Sequence, residues 1–473
     1  MARIRTAALL NLVAGCAVLS ACALKAPPDL TQVRDSALPN APLPAGWLAA
    51  PVDTAPVQDG WLTTLGDSAL VALVVEAIEH NPDVEVAGAR MERAAGQLKL
   101  AGGKIKPFVD IYGRGGIGMG GDASGLNGVL ALASWEVDLW GRVRYGREAA
   151  RAGYTAAAAD LIYARQSLAA MVAKSWYLAA ELRLQHLITD SLVAASARLV
   201  ELTERQREVG VTDDQAVAVV RTDLGSYRDR QLQIEQSEQE ARRALEVLAG
   251  RYPAATLDLP DSLPATIPPV PAGLPLGLLE RRPDLIAANF RIASAFYARG
   301  QAVAAKLPAL SLTANFGAIS SEVLTLSEDF SNPVFSLGAN LLAPIFRGGE
   351  LQAQVDIRTA EQRAAVAEYG GAALAAFRDV ENALGAEQML QRRQTILEEL
   401  VRDGARAVEV SAARYAVGRE DLLIGINYRV RLFSSQLALL RVRSERIVQR
   451  INLHLALGGG FVMTPVDTVT ATR

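Results

Sequence analysis

Two thiols, three imidazoles and a scatter of carboxylates and hydroxyls are the groups from which any chemistry in this 473-residue chain must be drawn. Both thiols, Cys16 and Cys22, fall within the first 22 residues, and the imidazoles of His80, His186 and His454 are far apart in sequence. Disulfide scaffolds and Cys/His metal sites are thereby excluded. No nucleophile motif, phosphate-binding glycine loop or metal-ligand spacing occurs, so no enzyme is expected, and the isolated Ser, His and Asp residues fit surface and core roles. What remains is the nucleophilicity of a cysteine thiol. Leu19-Ser20-Ala21 stands directly ahead of Cys22, with small residues at the two positions before the thiol.

The segment ahead of that thiol supports this chemistry. Arg3 and Arg5 precede the uncharged apolar run from Thr6 to Ala21, the pattern of a secretory signal peptide over residues 1–21. Its end resembles the lipobox of bacterial lipoproteins, which implies a covalent lipid, diacylglycerol and N-acyl, on Cys22 and no other cofactor. Val13-Ala14-Gly15-Cys16 fits more loosely and leaves an apolar region of about ten residues, so Cys22 is preferred and Cys16 is the alternative. Ala23, not Asp, follows Cys22, as in lipoproteins sent on to the outer membrane.

Lys plus Arg (48) nearly balance Asp plus Glu (51) without a long basic block, so nucleic acid is not an expected partner. After residue 21 no window of about 18 uncharged apolar residues occurs, so any membrane span must be made of strands.

The elements that position these features come twice. A Pro-rich arm covers residues 22–65, and a second Pro-rich stretch, 251–276, divides residues 66–250 from 277–458, leaving a tail at 459–473. Asn81-Pro82-Asp83 and Arg282-Pro283-Asp284 each open a helical stretch, Pro107 and Pro308 each end one, and Val209-Gly210 matches Val417-Gly418. Both halves share one plan of helix, two strands, very long helix, tight turn and return helix. At about 1.5 Å per residue the long helices, 144–208 and 350–417, span roughly 98 and 102 Å. The return helices span about 57 Å and the opening ones about 35 Å, so a short and a return helix end to end match the long one. Leu161, Leu168, Ser175 and Leu182, with Ala164, Met171 and Leu178 three residues on, predict a coiled-coil seam in the first long helix. Helical pattern alone also fits a solitary coiled-coil rod.

The strands separate the two. Val109, Ile111 and Ile117 alternate with Asp110, Tyr112 and Arg114, and Trp135, Val137 and Leu139 with Ser134, Glu136 and Asp138, predicting a hairpin over about 107–140 with a glycine-rich tip at 120–128. A second hairpin covers about 308–346, with Leu310, Leu312, Ala314 and Phe316 opposite Ser311, Thr313 and Asn315. Such strands suit a tilted bilayer crossing, and also a small soluble sheet capping the rods. Four strands cannot close a barrel, whereas three copies give twelve with room for a polar lumen.

The ordered set of motifs resembles the TolC-like outer membrane factors, in particular the lipoprotein branch serving resistance-nodulation-division efflux systems. It comprises the lipobox, Gly60-Trp61-Leu62, Asn81-Pro82-Asp83, Ser134-Trp135-Glu136-Val137-Asp138-Leu139-Trp140-Gly141-Arg142, Arg282-Pro283-Asp284 and Pro344-Ile345-Phe346-Arg347-Gly348-Gly349. The resemblance implies a mixed fold: a homotrimeric transmembrane β-barrel, four strands per chain, continuous with a periplasmic α-helical barrel. It implies outer-membrane lipid around the barrel, and passive conduction of drugs or other small molecules from an inner-membrane efflux pump and a periplasmic membrane-fusion adaptor. The adaptor would meet the tip turns Val209, Gly210, Val211, Thr212 and Val417, Gly418, Arg419, Glu420. Where the family often carries a pore-narrowing aspartate this chain has Asn427, with Leu423 and Ile424 a turn nearer the tip, so the constriction would be amide plus aliphatic, or Asn427 an ordinary solvated residue. An outlet for protein secretion or metal efflux, or a non-conducting structural lipoprotein, are the alternatives.

Overall fold

The computed structural model describes residues 24–49, 55–57, 59–114, 126–264, 268–321, 333–420 and 422–460. Cys16, Cys22, Ile117 and the glycine-rich hairpin tip lie outside them. Ten helices and four strands follow in chain order among the described residues: α1 (Leu30–Ala37), α2 (Trp61–Thr64), α3 (Ser68–His80), α4 (Pro82–Gly103), β1 (Phe108–Arg114), β2 (Leu126–Val137), α5 (Arg142–Glu208), α6 (Asp214–Leu248), α7 (Pro275–Arg281), α8 (Pro283–Ala304), β3 (Ala309–Ser321), β4 (Val334–Leu342), α9 (Glu350–Ala416) and α10 (Leu422–Ala456). The internal repeat is metrical: α4 and α8 have 22 residues each, α5 and α9 have 67, and α6 and α10 have 35. No helix is long and apolar enough to cross a membrane among the described residues.

The chain forms two compact units. The first holds the sheet with the helical segments next to it, residues 89–159 and 286–372, and the beginning of the arm. Its sheet is antiparallel in the order β1-β2-β3-β4. The register pairs Val109 with Ala133, Ala133 with Ala314 and Ala314 with Leu337, so one apolar row crosses all four strands. A second row pairs Ile111 with Ala131, Ala131 with Phe316 and Phe316 with Phe335. Because side chains alternate along a strand, Ser134, Thr313, Glu136, Ser311, Asn315 and Ser336 occupy the other face. In the arm, Asp29 caps α1 by accepting from Gln32 N at 2.8 Å, and Gly370 of α9 makes room for it: a Cβ there would lie 2.6 Å from the Ala37 carbonyl oxygen.

The second unit holds the remaining helical lengths and the segment between the two halves. Here α6 ends where α4 begins, and α10 ends where α8 begins. Proline at the first helical position loses no hydrogen bond, because that N–H has no intrahelical partner. The residue before each proline then serves the incoming helix. Asn81 Nδ2 donates to the Leu248 carbonyl at 3.0 Å, and Arg282 Nη1 to the Ala456 carbonyl at 3.4 Å. The two chain ends approach so closely that a Cβ on Gly250 would sit 2.6 Å from His80 O, and one on Gly458 2.9 Å from Arg282 Cα. Burial opposes the charge of the Arg282 guanidinium, but Asp284 at 2.9 Å outweighs it and holds the pKa above the usual arginine value. The Pro-rich segment is tied down at its start, where the buried Glu246 carboxylate accepts from Ala255 N and Thr256 N at 2.7 Å and from Leu257 N at 3.1 Å.

Leu161 and Leu168 of the predicted seam are buried, but Met171 and Leu178 are about half exposed. The buried surface of α5 is instead the small-residue stretch Ala169, Ala170, Ala173, Ala179 and Ala180 around Trp176 and Tyr177. Small residues let helices approach closely, so the contact follows the alanines more than the larger side chains.

Two measurements check the joints. Gly250 (φ +75°) and Gly210 (φ +74°) share a left-handed conformation, but only Gly250 is also crowded. Gly210→Ala is expected to cost about 1–2 kcal/mol of stability from backbone strain alone. Gly250→Val is expected to cost more than about 3 kcal/mol, since the clash adds to the strain, and thermal melts of helical circular dichroism read both. At the second joint His454 stacks on Trp61 (5.5 Å between centroids), and burial, with Arg450 nearby, pushes its pKa down from 6.5 to about 4. Above 6.5 both folded and unfolded chains carry it neutral. As pH falls from 6.5 toward 4 the unfolded chain takes up a proton that the folded one refuses, so stability declines across that window by up to about 3 kcal/mol per chain. His454→Phe should flatten that part of the pH profile; an unchanged slope counts against the assignment.

Candidate functional site

Three features of this chain have no purpose inside a solitary globule: the two-faced sheet, the fittings at its foot, and the tips of the long helices.

The apolar face of the sheet is uncovered. Ile111, Phe335, Leu337 and Leu341 are between 65% and 78% exposed, and Val109 and Phe316 are exposed beside them. Six such side chains on one face imply an apolar medium, since each large apolar side chain left in water forgoes about 1.5–3 kcal/mol of burial. Among the described residues the outer strands β1 and β4 each carry one unpaired backbone edge. In a lipid environment such an edge is tolerated only if another strand pairs with it.

At the foot of the sheet, where strands join helices, the Ser134-to-Arg142 motif acts as a bracket. Trp135 Nε1 donates to the Ile105 carbonyl and Trp140 Nε1 to the Pro308 carbonyl, both at 2.8 Å, which ties the entries of β1 and β3 to the end of β2. Asp138 then caps α5: Oδ1 accepts from Val143 N at 3.0 Å and Oδ2 from Arg144 N at 2.9 Å. Glu136 pairs with Arg142, whose pKa is raised chiefly by that hydrogen bond. Gly141 (φ +76°) makes the corner, with Leu24 of the arm against it.

The tips use one design twice. After α5, Gly210 N donates to Arg207 O at 3.0 Å and Val211 N to Gln206 O at 2.9 Å; after α9, Gly418 N donates to Tyr415 O and Arg419 N to Arg414 O, both at 2.9 Å. This is the helix-ending pattern that a left-handed glycine permits, with φ +74° at Gly210 and +69° at Gly418. Asp213 starts α6 by accepting from Ala216 N at 2.9 Å. Val209, Val211 and Val417 are exposed at these turns, Arg419 is exposed, and Thr212 and Glu420 are partly covered. Leu423 lies in the first turn of α10, its side chain outside the described residues; Ile424 and Asn427 share an exposed face of α10 with Arg431 and Ser434.

Sequence reasoning did not anticipate the side-chain brace between the tips, where Gln206 Nε2 of α5 donates to Tyr415 Oη of α9. Nor did it anticipate that Gly425 brings α10 against Ser411 of α9, where a Cβ would lie 3.1 Å from the hydroxyl oxygen. The only local signal for the second was a glycine inside a helical pattern.

A sheet with one face for lipid and one for water, joined to paired long helices, defines a channel-forming protein of the outer membrane. The chain belongs to the outer membrane efflux protein family, whose model matches residues 73–251 and 274–459. It is 30% identical over 470 residues to the pyoverdine export outer membrane protein OpmQ of Pseudomonas aeruginosa, covering 96% of this chain and 97% of that one. With the probable efflux pump outer membrane protein TtgC of Pseudomonas putida it is 29% identical over 475 residues, 96% of each chain. Among solved structures, the outer membrane protein VceC of Vibrio cholerae superposes with a TM-score of 0.77 at 25% identity, over 86% of this chain and all of that one.

The fold class is that of the trimeric channels: a transmembrane β-barrel to which each chain gives four strands, twelve in all, with a long periplasmic barrel of coiled helices. The chain is an outer-membrane channel component of an efflux pump, in a Gram-negative outer membrane and extending into the periplasm. Its family is one of transport channels and not a class of enzymes.

The two faces of the sheet predict opposite responses. Leu337→Asp puts a charge on the lipid side and is expected to cost somewhat less than the about 2–4 kcal/mol of a basic residue at the bilayer midplane, with reduced barrel insertion. Thr313→Asp, on the other face, is expected to be tolerated. Heat-resistant trimer on unheated gels, from isolated outer membranes, distinguishes them; equal loss from both variants would reject the assignment of faces.

Proposed function

We propose that three copies of this chain form the passive outlet of a tripartite efflux system, receiving small organic molecules from an inner-membrane pump through a periplasmic membrane-fusion adaptor. The observation that carries this reading is the sheet: one continuous apolar face, a second face where Ser134, Glu136, Ser311, Thr313, Asn315 and Ser336 stand beside Leu130 and Leu132, and two edges open among the described residues. Closing those edges with copies of itself puts that second face around a lumen. Export of pyoverdine by one relative supports a small-molecule cargo.

In this reading the adaptor contacts the turns Val209–Thr212 and Val417–Glu420, where three valines are exposed for burial against a partner. The exposed face of α10, with Ile424 and Asn427 and with Leu423 one turn nearer the tip, forms the constriction. Opening requires the tips to separate, and the Gln206–Tyr415 brace opposes it. Cys22 carries the diacylglycerol and N-acyl chains. The seat of Leu24 against Gly141 at the foot of the sheet supports this, since acyl chains there meet the same leaflet as the barrel.

The test is conductance in planar bilayers of the purified, acylated protein, with mass determined in the same detergent. A trimer with discrete conductance steps, enlarged in Asn427→Ala and more frequent in Tyr415→Phe, is expected. A stable monomer that never inserts, or variant trimers that insert and stay silent, would overturn the reading.

A further inference from the structure

A cavity of about 430 Å³ lies between α5, α9 and α10, a few turns from the tip glycines. Its walls are mostly apolar, including Leu199, Leu202 and Ile426. Two arginines, Arg198 of α5 and Arg429 of α10, contribute the charge, and neither makes an ion pair or a side-chain hydrogen bond among the described residues. Ser411 of α9 also lines it; this residue is 2% exposed and its hydroxyl oxygen has no hydrogen-bond partner among the described residues. A buried hydroxyl left without a partner costs about 1–3 kcal/mol, so it marks a place where a polar atom is missing. No compensating charge comes from α10 itself, because from Leu422 to Ser444 it carries Arg429, Arg431, Arg441 and Arg443 and no acidic residue.

We propose that this cavity is a binding site for a small amphiphilic anion, an aromatic or short aliphatic body bearing one carboxylate or sulfonate. The apolar walls take the body, as in ligand pockets of this size. The anionic head accepts charge-assisted hydrogen bonds from Arg198 and Arg429, the strongest kind available to a neutral-pH ligand. A second acceptor atom takes the Ser411 hydroxyl proton. An occupant touches α5 of the first half and α9 and α10 of the second, so it fastens α10 to the two helices that the Gln206–Tyr415 brace joins. The consequence for conduction, fewer openings when the site is filled, rests on the tip being the gate; binding itself does not.

The experiment uses the full-length trimer in amphipol, titrated with 4-(trifluoromethyl)benzoate and followed by fluorine NMR, with 4-(trifluoromethyl)benzylamine as the cationic counterpart. Saturable binding of the benzoate and none of the amine is expected. Arg198→Gln with Arg429→Gln, two exposed positions whose loss leaves the helices intact, should weaken binding at least about tenfold. Ala412→Phe, which fills the cavity from α9, should abolish it. Benzoate binding that survives both variants, equal binding of the amine, or no saturable binding would overturn the site. Bilayer recordings then divide the remaining outcomes. Benzoate that lowers opening in the wild type but not in the double arginine variant completes the proposal, while binding without any effect on conductance leaves the site standing and removes the tip from gating.

Discussion

Everything in this chain follows from a constraint on backbone hydrogen bonds. Lipid offers no donor or acceptor, so each N–H and C=O placed there must be satisfied by protein. Between them, β1 to β4 satisfy the inner edges and leave two outer ones, and the register makes the exposed apolar rows run straight across all four. A chain that meets lipid with one face and ends on two open edges has no complete structure alone. The channel family solves this by closure among three chains, and the remaining parts of the sequence hold the sheet to helices long enough to leave the membrane.

The joints meet the same accounting at helix ends. The last carbonyls of α6 and α10 would go unpaired where those helices stop in the interior, and Asn81 and Arg282 supply the donors. An amide and a guanidinium do one task at equivalent places, but on different terms. Asn81 is neutral and needs nothing further, whereas Arg282 requires Asp284 and, at 3.6 Å, Asp379 to remain charged under burial. The first joint has its ion pair beside the cap, Arg251 with Glu76, whereas the second builds the cap itself from a charged side chain.

Much of this was legible in order and spacing. Paired Pro82 and Pro283, Gly210 and Gly418, and alternation through Val109, Trp135 and Leu312 located the helices, tips and strands, because each reflects a local backbone or side-chain period. Within the single chain Leu161 and Leu168 of the seam are buried and Met171 and Leu178 are half exposed, while the alanines around Trp176 carry its closest packing. Contacts between distant positions stayed invisible for a physical reason. Asn81 meets Leu248, Gln206 meets Tyr415 and Leu24 meets Gly141 only once the chain has turned back, and no periodicity encodes such pairings. At the tip, glycine and turn position were legible, but Arg198, Arg429 and the hydroxyl of Ser411 come together only in three dimensions.

The uncovered face of the sheet also governs how the protein can be made. While a single chain travels through water, the rows containing Ile111, Phe335 and Leu337 offer an adhesive surface, and the flanking edges offer templates for any extended peptide. Barrel formation needs three such chains at once, so its rate rises steeply with local supply, and a lone chain spends its time exposed to misassembly or to a holding chaperone. The acylation proposed for Cys22 would convert that three-body search from a volume to a surface, bringing each arrival to the bilayer that its strands must enter.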